Sequence, residues 1–227
     1  MAAFDSLVKD ILPYAPNCPD SLVESTLRSS CIEFAERSKA YTFDLDAITS
    51  IPGVYEYEFD QPSGTDVHQI LWMTYDGNDL DPISPRSLEL NYSDWRNKTS
   101  VPQVYLQKTP DAFWVIPIPG SAVANGIQLS VALKPSRTTS NIDTTFSNSY
   151  RDGIVYGTLY RLLRIPSKDW TDLQAAADYL SLFNQEIVQA ELKARGGDLG
   201  VKRTVKYRGA GLSPRKRYKK YGSEIDY

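Results

Sequence analysis

The stretch Ile70-Leu71-Trp72-Met73-Thr74-Tyr75-Asp76-Gly77 shows most directly which structure the middle of this chain adopts. Its first six residues are large apolar, aromatic or β-branched side chains, which are typical of a strand. Asp76-Gly77 then suits a tight hairpin turn, because both residues tolerate a positive φ. The stretch therefore predicts a β-hairpin.

The same kind of pattern extends from Tyr41 to about Pro135. Further β-type runs lie at 54–59, 104–106, 113–118 and 127–133. Nine prolines punctuate the region between positions 52 and 135. They favour short antiparallel strands over a helix, because proline cannot donate to a sheet or continue a helix. The region predicts a small sandwich or barrel.

Helical patterns precede this β region. The first apolar set with helical spacing ends before Pro13 and consists of Phe4, Leu7, Val8 and Ile11. A second helix is predicted to begin with Pro19 as its first residue, a position that proline favours. The apolar stripe of this second helix consists of Val23, Leu27, Cys31 and Phe34. Cys31 is expected to be a small core residue.

Helical patterns also follow the β region. One helix is predicted from Thr144 to Ile165, where Pro166 ends it. Gly153 and Gly157 lie four residues apart on one face of it, which predicts close approach of a neighbouring helix. A last helix is predicted from Thr171 to Ala194, with Gly196-Gly197 ending it. Its expected apolar face consists of Leu173, Ala177, Leu180, Phe183, Ile187 and Ala190.

These patterns predict an α+β fold. An antiparallel helical bundle, with two N-terminal and two C-terminal helices, would carry an inserted antiparallel β sandwich or barrel and an extended basic C-terminal arm. The expected domains are a helical body of residues 1–40 and 141–196, a β domain of residues 41–140 and an arm of residues 197–227. The absence of an apolar run of eighteen residues excludes a transmembrane helix. We also find no secretory signal at the N-terminus and expect synthesis in a reducing cytoplasm.

The sequence offers little for catalysis or metal binding. His68 is the single histidine, and no motif gives it a nucleophile or a second metal ligand. The oxygen-rich segment 76–81 has Leu80 and Asp81 where a calcium EF-hand loop needs a ligand and a glycine. We therefore predict no enzymatic activity, no cofactor and no metal site.

Charge is divided unevenly along the chain, whose formal net charge is −3. Residues 193–227 contain eleven Lys or Arg against three acidic residues, whereas residues 1–192 contain fourteen basic and twenty-five acidic residues. An acidic body thus precedes a basic arm. Such an arm could bind nucleic acid, an acidic membrane or an acidic protein surface, and it could also fold back on its own body or on a neighbouring copy.

The arm has two basic segments joined by Gly209, Gly211 and Pro214. In the first, apolar and basic residues alternate as in a short strand, which could add to the edge of another sheet. In the second, basic residues lie beside tyrosines, a composition that also suits nucleic-acid contact. A solvated terminus is the third alternative. The candidate partner-binding residues are Val201, Lys202, Arg203, Val205, Lys206, Tyr207, Arg208, Arg215, Lys216, Arg217, Tyr218, Lys219, Lys220 and Tyr221.

Three stretches together resemble the head–tail adaptor (connector, or head completion) proteins of tailed bacteriophages, particularly the short-tailed ones. The first is residues 70–84, ILWMTYDGNDLDPIS. The second is residues 150–157, YRDGIVYG, followed by Leu162-Leu163 and Trp170. The third is the long last helix that leads into the basic arm.

The resemblance implies a structural virion protein, made in the host cytoplasm, at the head–tail junction. It implies a ring, usually of twelve copies, beneath the portal protein, with packaged double-stranded DNA passing through the lumen and with no membrane partner. The helical body would form the ring wall and the arm would dock on the portal. The β domain would face outward or toward a tail nozzle or tail-fibre protein.

Two other hypotheses stay open at this point. A nucleic-acid-binding module would use the basic arm as its footprint and would bind duplex DNA with a steep salt dependence. An enzyme would have to use His68, and no motif supports it.

Overall fold

The computed structural model describes residues 2–92, 94–139 and 141–196, and within them it is a mixed α+β fold with antiparallel sheets. The predicted fold class is confirmed at this level. The helices are α1 (Asp5–Ile11), α2 (Asp20–Ser38), α3 (Pro85–Asn91), α4 (Thr144–Ser149), α5 (Arg151–Leu163) and α6 (Leu173–Gly196). The strands are β1 (Ala2–Ala3), β2 (Thr42–Asp44), β3 (Ile48–Ser50), β4 (Glu56–Glu58), β5 (Thr65–Tyr75), β6 (Asn78–Asp79), β7 (Asp81–Pro82), β8 (Val104–Gln107), β9 (Ala112–Ile116), β10 (Val123–Pro135) and β11 (Asn141–Ile142).

The two N-terminal helices follow the predicted stripes. The four predicted apolar residues of α1 and the four of α2 are all buried, and Cys31 is a core residue as expected. The predicted start of α2 is wrong by one residue. Pro19 has an extended backbone (φ −62°, ψ 133°) and occupies the N-cap position, so Asp20 is the first helical residue. The helix ends where Lys39 adopts a left-handed conformation (φ 53°).

The helix predicted from Thr144 to Ile165 is in fact two helices. Tyr150 leaves helical geometry (φ −123°, ψ 27°) and separates α4 from α5. α4 is a short segment of Ser, Thr and Asn around one phenylalanine, and such residues compete with helical hydrogen bonds. Asp143 caps it by accepting a hydrogen bond from the Phe146 N–H at 2.8 Å.

The last helix begins two residues later than predicted and buries only part of the predicted face. The Asp172 carboxylate accepts hydrogen bonds from the N–H groups of Gln174 and Ala175, both at 3.0 Å, and so sets the start of α6. Leu173 and Ala177 of the predicted face are exposed. Phe183, Ile187 and Ala190 are buried as predicted, and Ala176 is buried in addition.

Two sheets make up most of the β region. One has the order β2-β10-β5-β6, with β3 also paired to β10, and the other has the order β4-β9-β8-β7. The predicted hairpin at Asp76-Gly77 is confirmed: both residues have positive φ, 49° and 77°, between β5 and β6. Strands β1 and β11 form a separate antiparallel pair.

Three expectations for this region are wrong. β5 and β10 are not short, since they have eleven and thirteen residues. β7 pairs with β8 in parallel, because the long connection between them, which contains α3, returns the chain to the same end of the sheet. The region also contains helix α3, for which the Ser84 side chain accepts a hydrogen bond from the Ser87 N–H and Pro85 supplies the first residue.

Buried side chains gather in three clusters. The first is formed by the helices, and the second joins inward side chains of both large sheets. The third lies around Trp95 and Trp114, whose ring centroids are 5.2 Å apart, and includes Leu88 of α3. Alternation along the strands did not predict this third cluster, because it does not show what covers the second face of a sheet. The boundaries predicted at residues 40 and 140 stay predictions.

Candidate interaction surfaces

Helix α5 approaches its neighbours at two glycines. A Cβ atom on Gly153 would lie 2.6 Å from Phe34 Cε2 of α2 and 3.1 Å from Glu186 Cβ of α6. A Cβ atom on Gly157 would lie 2.5 Å from Phe183 Cε2 of α6. These distances are shorter than van der Waals contact, so a side chain at either position would have to displace a buried ring.

A polar network around Glu33 joins the same three helices. The Glu33 carboxylate of α2 accepts from Arg37 on its own helix at 2.9 Å and pairs with Arg161 of α5. Arg161 also donates to Ser30 Oγ at 3.1 Å. Arg37 donates to Asn184 Oδ1 of α6 at 2.7 Å. The Glu33 carboxylate thus binds two guanidinium groups: that of Arg161, which belongs to α5, and that of Arg37, which also contacts α6.

Replacing Glu33 by Gln is expected to lower the free energy of unfolding by about 1–2 kcal/mol, because charge-assisted hydrogen bonds are lost from a partly exposed site. Urea unfolding measures the loss, which should shrink in 1 M NaCl as salt screens the ion pairs. Glu24→Gln, on the same helix but outside this network, serves as the control and should shift stability by less than about 0.5 kcal/mol. Equal stability of the two variants would contradict the role given to Glu33.

His68 lies in a shallow groove of about 330 Å³ that Lys108 and Lys134 also line. Burial lowers the pKa of His68, and the nearby Glu36 carboxylate opposes that shift. Lys134 pairs with Glu36 at 2.7 Å, and Lys108 lies over the Trp114 ring at 4.4 Å. Both ammonium groups therefore have structural partners.

The buried thiol of Cys31 is also unsuited to nucleophilic catalysis. Burial raises the pKa of Cys31 far above its usual range, so the thiol stays protonated and is a poor nucleophile.

Within residues 2–92, 94–139 and 141–196, no group of three or more His, Cys, Asp or Glu side chains could hold a metal ion. None of the helices in these ranges is long and apolar enough to cross a membrane.

The predicted partner-binding residues of the arm, from Val201 to Tyr221, lie outside the described residues. Their role stays a prediction that rests on charge and on the resemblance. The helix-contact role predicted for Gly153 and Gly157 is likewise a proposal. It is supported by the short distances from a Cβ atom at each position to the rings of Phe34 and Phe183.

Comparison with known families identifies the class of protein. The family described as SU10 adaptor protein matches residues 4–206, which is nearly the whole chain. The chain belongs to the SU10 adaptor family. SU10 adaptors are structural phage proteins and not a family of enzymes, so this chain is a structural head–tail adaptor of the virion that interacts with other virion components. No curated protein matches the chain.

The SU10 adaptor match confirms the resemblance to phage adaptors that the sequence indicated. It spans the helices, both large sheets and the first ten residues of the arm. The restriction to short-tailed phages stays a prediction.

Proposed function

We propose that this SU10 adaptor forms a closed ring, of twelve copies, that joins the portal to the tail of a short-tailed phage and helps to retain packaged DNA. The observation that carries the proposal is the family match over residues 4–206. A head-to-tail ring needs two different complementary surfaces on each subunit and a rotation that closes. In this proposal the helices form the ring wall as a bundle, and the β domain is a sandwich inserted into it.

The division of charge supports a conduit for DNA. Residues 1–192 carry eleven more acidic than basic residues. An acidic lumen repels the phosphate backbone, so DNA can slide through without adhering to the wall.

The basic arm is the part proposed to dock on the portal. Its Lys and Arg side chains would pair with an acidic portal surface, and the alternating segment 201–208 could add a strand to a portal sheet. The β domain is proposed to meet the tail nozzle or a tail fibre.

Reconstitution of particles tests this function. DNA-filled heads from a phage lacking this chain are mixed with the purified chain and with purified tails, and tail attachment and DNA release are followed by electron microscopy and nuclease sensitivity. We expect the chain to restore tails and to protect DNA. Duplex binding with a steep salt dependence, without tail attachment, would instead support the nucleic-acid module.

A further inference from the structure

Two β-bulges reshape strand β5, which contains the stretch quoted at the start. Ser130 of β10 pairs with Trp72 and Val131 pairs with Ile70, so Leu71 is an extra residue in β5. His68 is a second extra residue, between the pairs made by Gln69 and Val67. A bulge places two residues of one strand opposite one residue of its partner and bends the strand.

The bulge at Leu71 directs two large apolar side chains outward. Ile70 and Met73 are buried, whereas Leu71 and Trp72 are 38 % and 47 % exposed. A strictly alternating strand would have exposed one residue between two inward ones. Among the residues that the structure describes, no aromatic ring stacks on Trp72 and no cationic group lies over it.

The pairing shows which side chains share the outer face with Trp72. We call this surface the Trp72 face: it combines Trp72 and Asp44, which flank the buried Ser130, with the adjacent row Thr74, Gln128 and Asp79. Side chains that pair across neighbouring strands lie on the same side of a sheet. Helix α2 also contacts β10. Its Glu36 carboxylate forms an ion pair with Lys134, which lies toward the opposite end of β10 from Gln128.

The charge of this sheet decides which partner the face can take. Strands β2, β3, β5, β6 and β10 contain three aspartates and a single Lys or Arg, Lys134, which is already paired with Glu36. Asp44 of the Trp72 face is an exposed carboxylate. A face of this kind repels DNA and anionic membranes and attracts a cationic protein segment.

We propose that the Trp72 face is the docking site for a basic segment of a tail protein. An Arg or Lys of that segment would lie over the Trp72 ring, a cation–π arrangement, and would pair with the Asp44 carboxylate. Exposed tryptophans are enriched among the residues that carry most of the binding energy at interfaces. The inference rests on the proposed joining of head and tail and names the surface and the chemistry of its partner.

The site is tested by measuring how tightly the full-length chain binds purified tails and, in a separate experiment, purified portal rings. Trp72→Ala and Asp44→Lys are each expected to weaken tail binding at least about tenfold, with unchanged portal binding. Leu90→Ala, which removes another exposed apolar side chain, and Asp111→Lys, another exposed charge reversal, are the matched controls and should bind tails like the wild type. Circular dichroism checks that each variant is folded.

The other outcomes separate this inference from the function on which it rests. Variants at Trp72 and Asp44 that bind tails normally would overturn the docking site. Loss of self-association with unchanged tail binding would show that the face joins two copies of the chain, and would also overturn it. A wild-type chain that does not bind tails overturns the proposed joining of head and tail together with the docking site, whereas normal tail binding by the Trp72 and Asp44 variants overturns the docking site alone.

Discussion

Removal of residues 197–227 is expected to abolish docking of this adaptor on purified portal rings. The arm contains nine of the chain's twenty-five Lys and Arg residues, and charge-assisted contacts with an acidic partner would be lost together. We expect affinity to fall more than about a hundredfold at moderate ionic strength. Cosedimentation with portal rings measures the loss, and urea unfolding should show that residues 1–196 remain folded.

A variant of full length separates the charge of the arm from its length. Replacing Arg215, Lys216, Arg217, Lys219 and Lys220 by Gln keeps every residue position but removes five charges. It should dock more weakly than the wild type and with a smaller salt dependence. A truncated chain that docks as tightly as the full chain would show that the portal contact lies elsewhere.

Replacing Gly157 by Leu is expected to lower the free energy of unfolding by about 1–3 kcal/mol through overpacking. Even the first added carbon would lie 2.5 Å from Phe183 Cε2, and Phe183 is fully buried. Urea unfolding measures the change. Gly120→Leu is the matched control, because no atom beyond its chain neighbours lies within 4 Å of a Cβ at that position, and it should cost less than about 0.5 kcal/mol.

A double-mutant cycle tests whether Phe183 is the residue that Gly157 must accommodate. Phe183→Leu removes the ring edge that a Cβ on Gly157 would meet. Gly157→Ala combined with Phe183→Leu should therefore destabilise the chain less than the sum of the single changes, by about 0.5–1 kcal/mol. Strict additivity, or a fully tolerated Gly157→Leu, would contradict the proposed contact between α5 and α6.

Local patterns predicted the parts of this fold that local physics determines. The stripe from Val23 to Phe34 follows the helical period, and its residues are buried in α2. Asp76-Gly77 forms a turn because both residues accept a positive φ. These features depend on residues close together in the chain.

Features set by distant partners could not be predicted in the same way. The inward residues of β5 are Val67, Ile70, Met73 and Tyr75, a spacing that two bulges against β10 produce. α3 did carry a local signal, a serine cap followed by proline, but the many prolines around it favoured strands instead. The sequence indicated that Gly153 and Gly157 meet a neighbour, while the identities of Phe34 and Phe183 required the folded chain.

Function was predicted by a different route from the fold. No residue pattern pointed to catalysis, and the role of the chain came from its resemblance to phage adaptors, which the family match over residues 4–206 confirms. The exposed Leu71-Trp72 pair lies within one of the stretches that carried this resemblance. Its outward orientation depends on the bulge and could not be read from the sequence alone.

The mass of the purified chain, measured by native mass spectrometry alone and after mixing with portal rings, tests the proposed ring most directly. We expect a complex of one portal ring with twelve copies of the chain, which is lost when residues 197–227 are removed. A chain that stays monomeric in the presence of portals and binds duplex DNA instead would contradict the account.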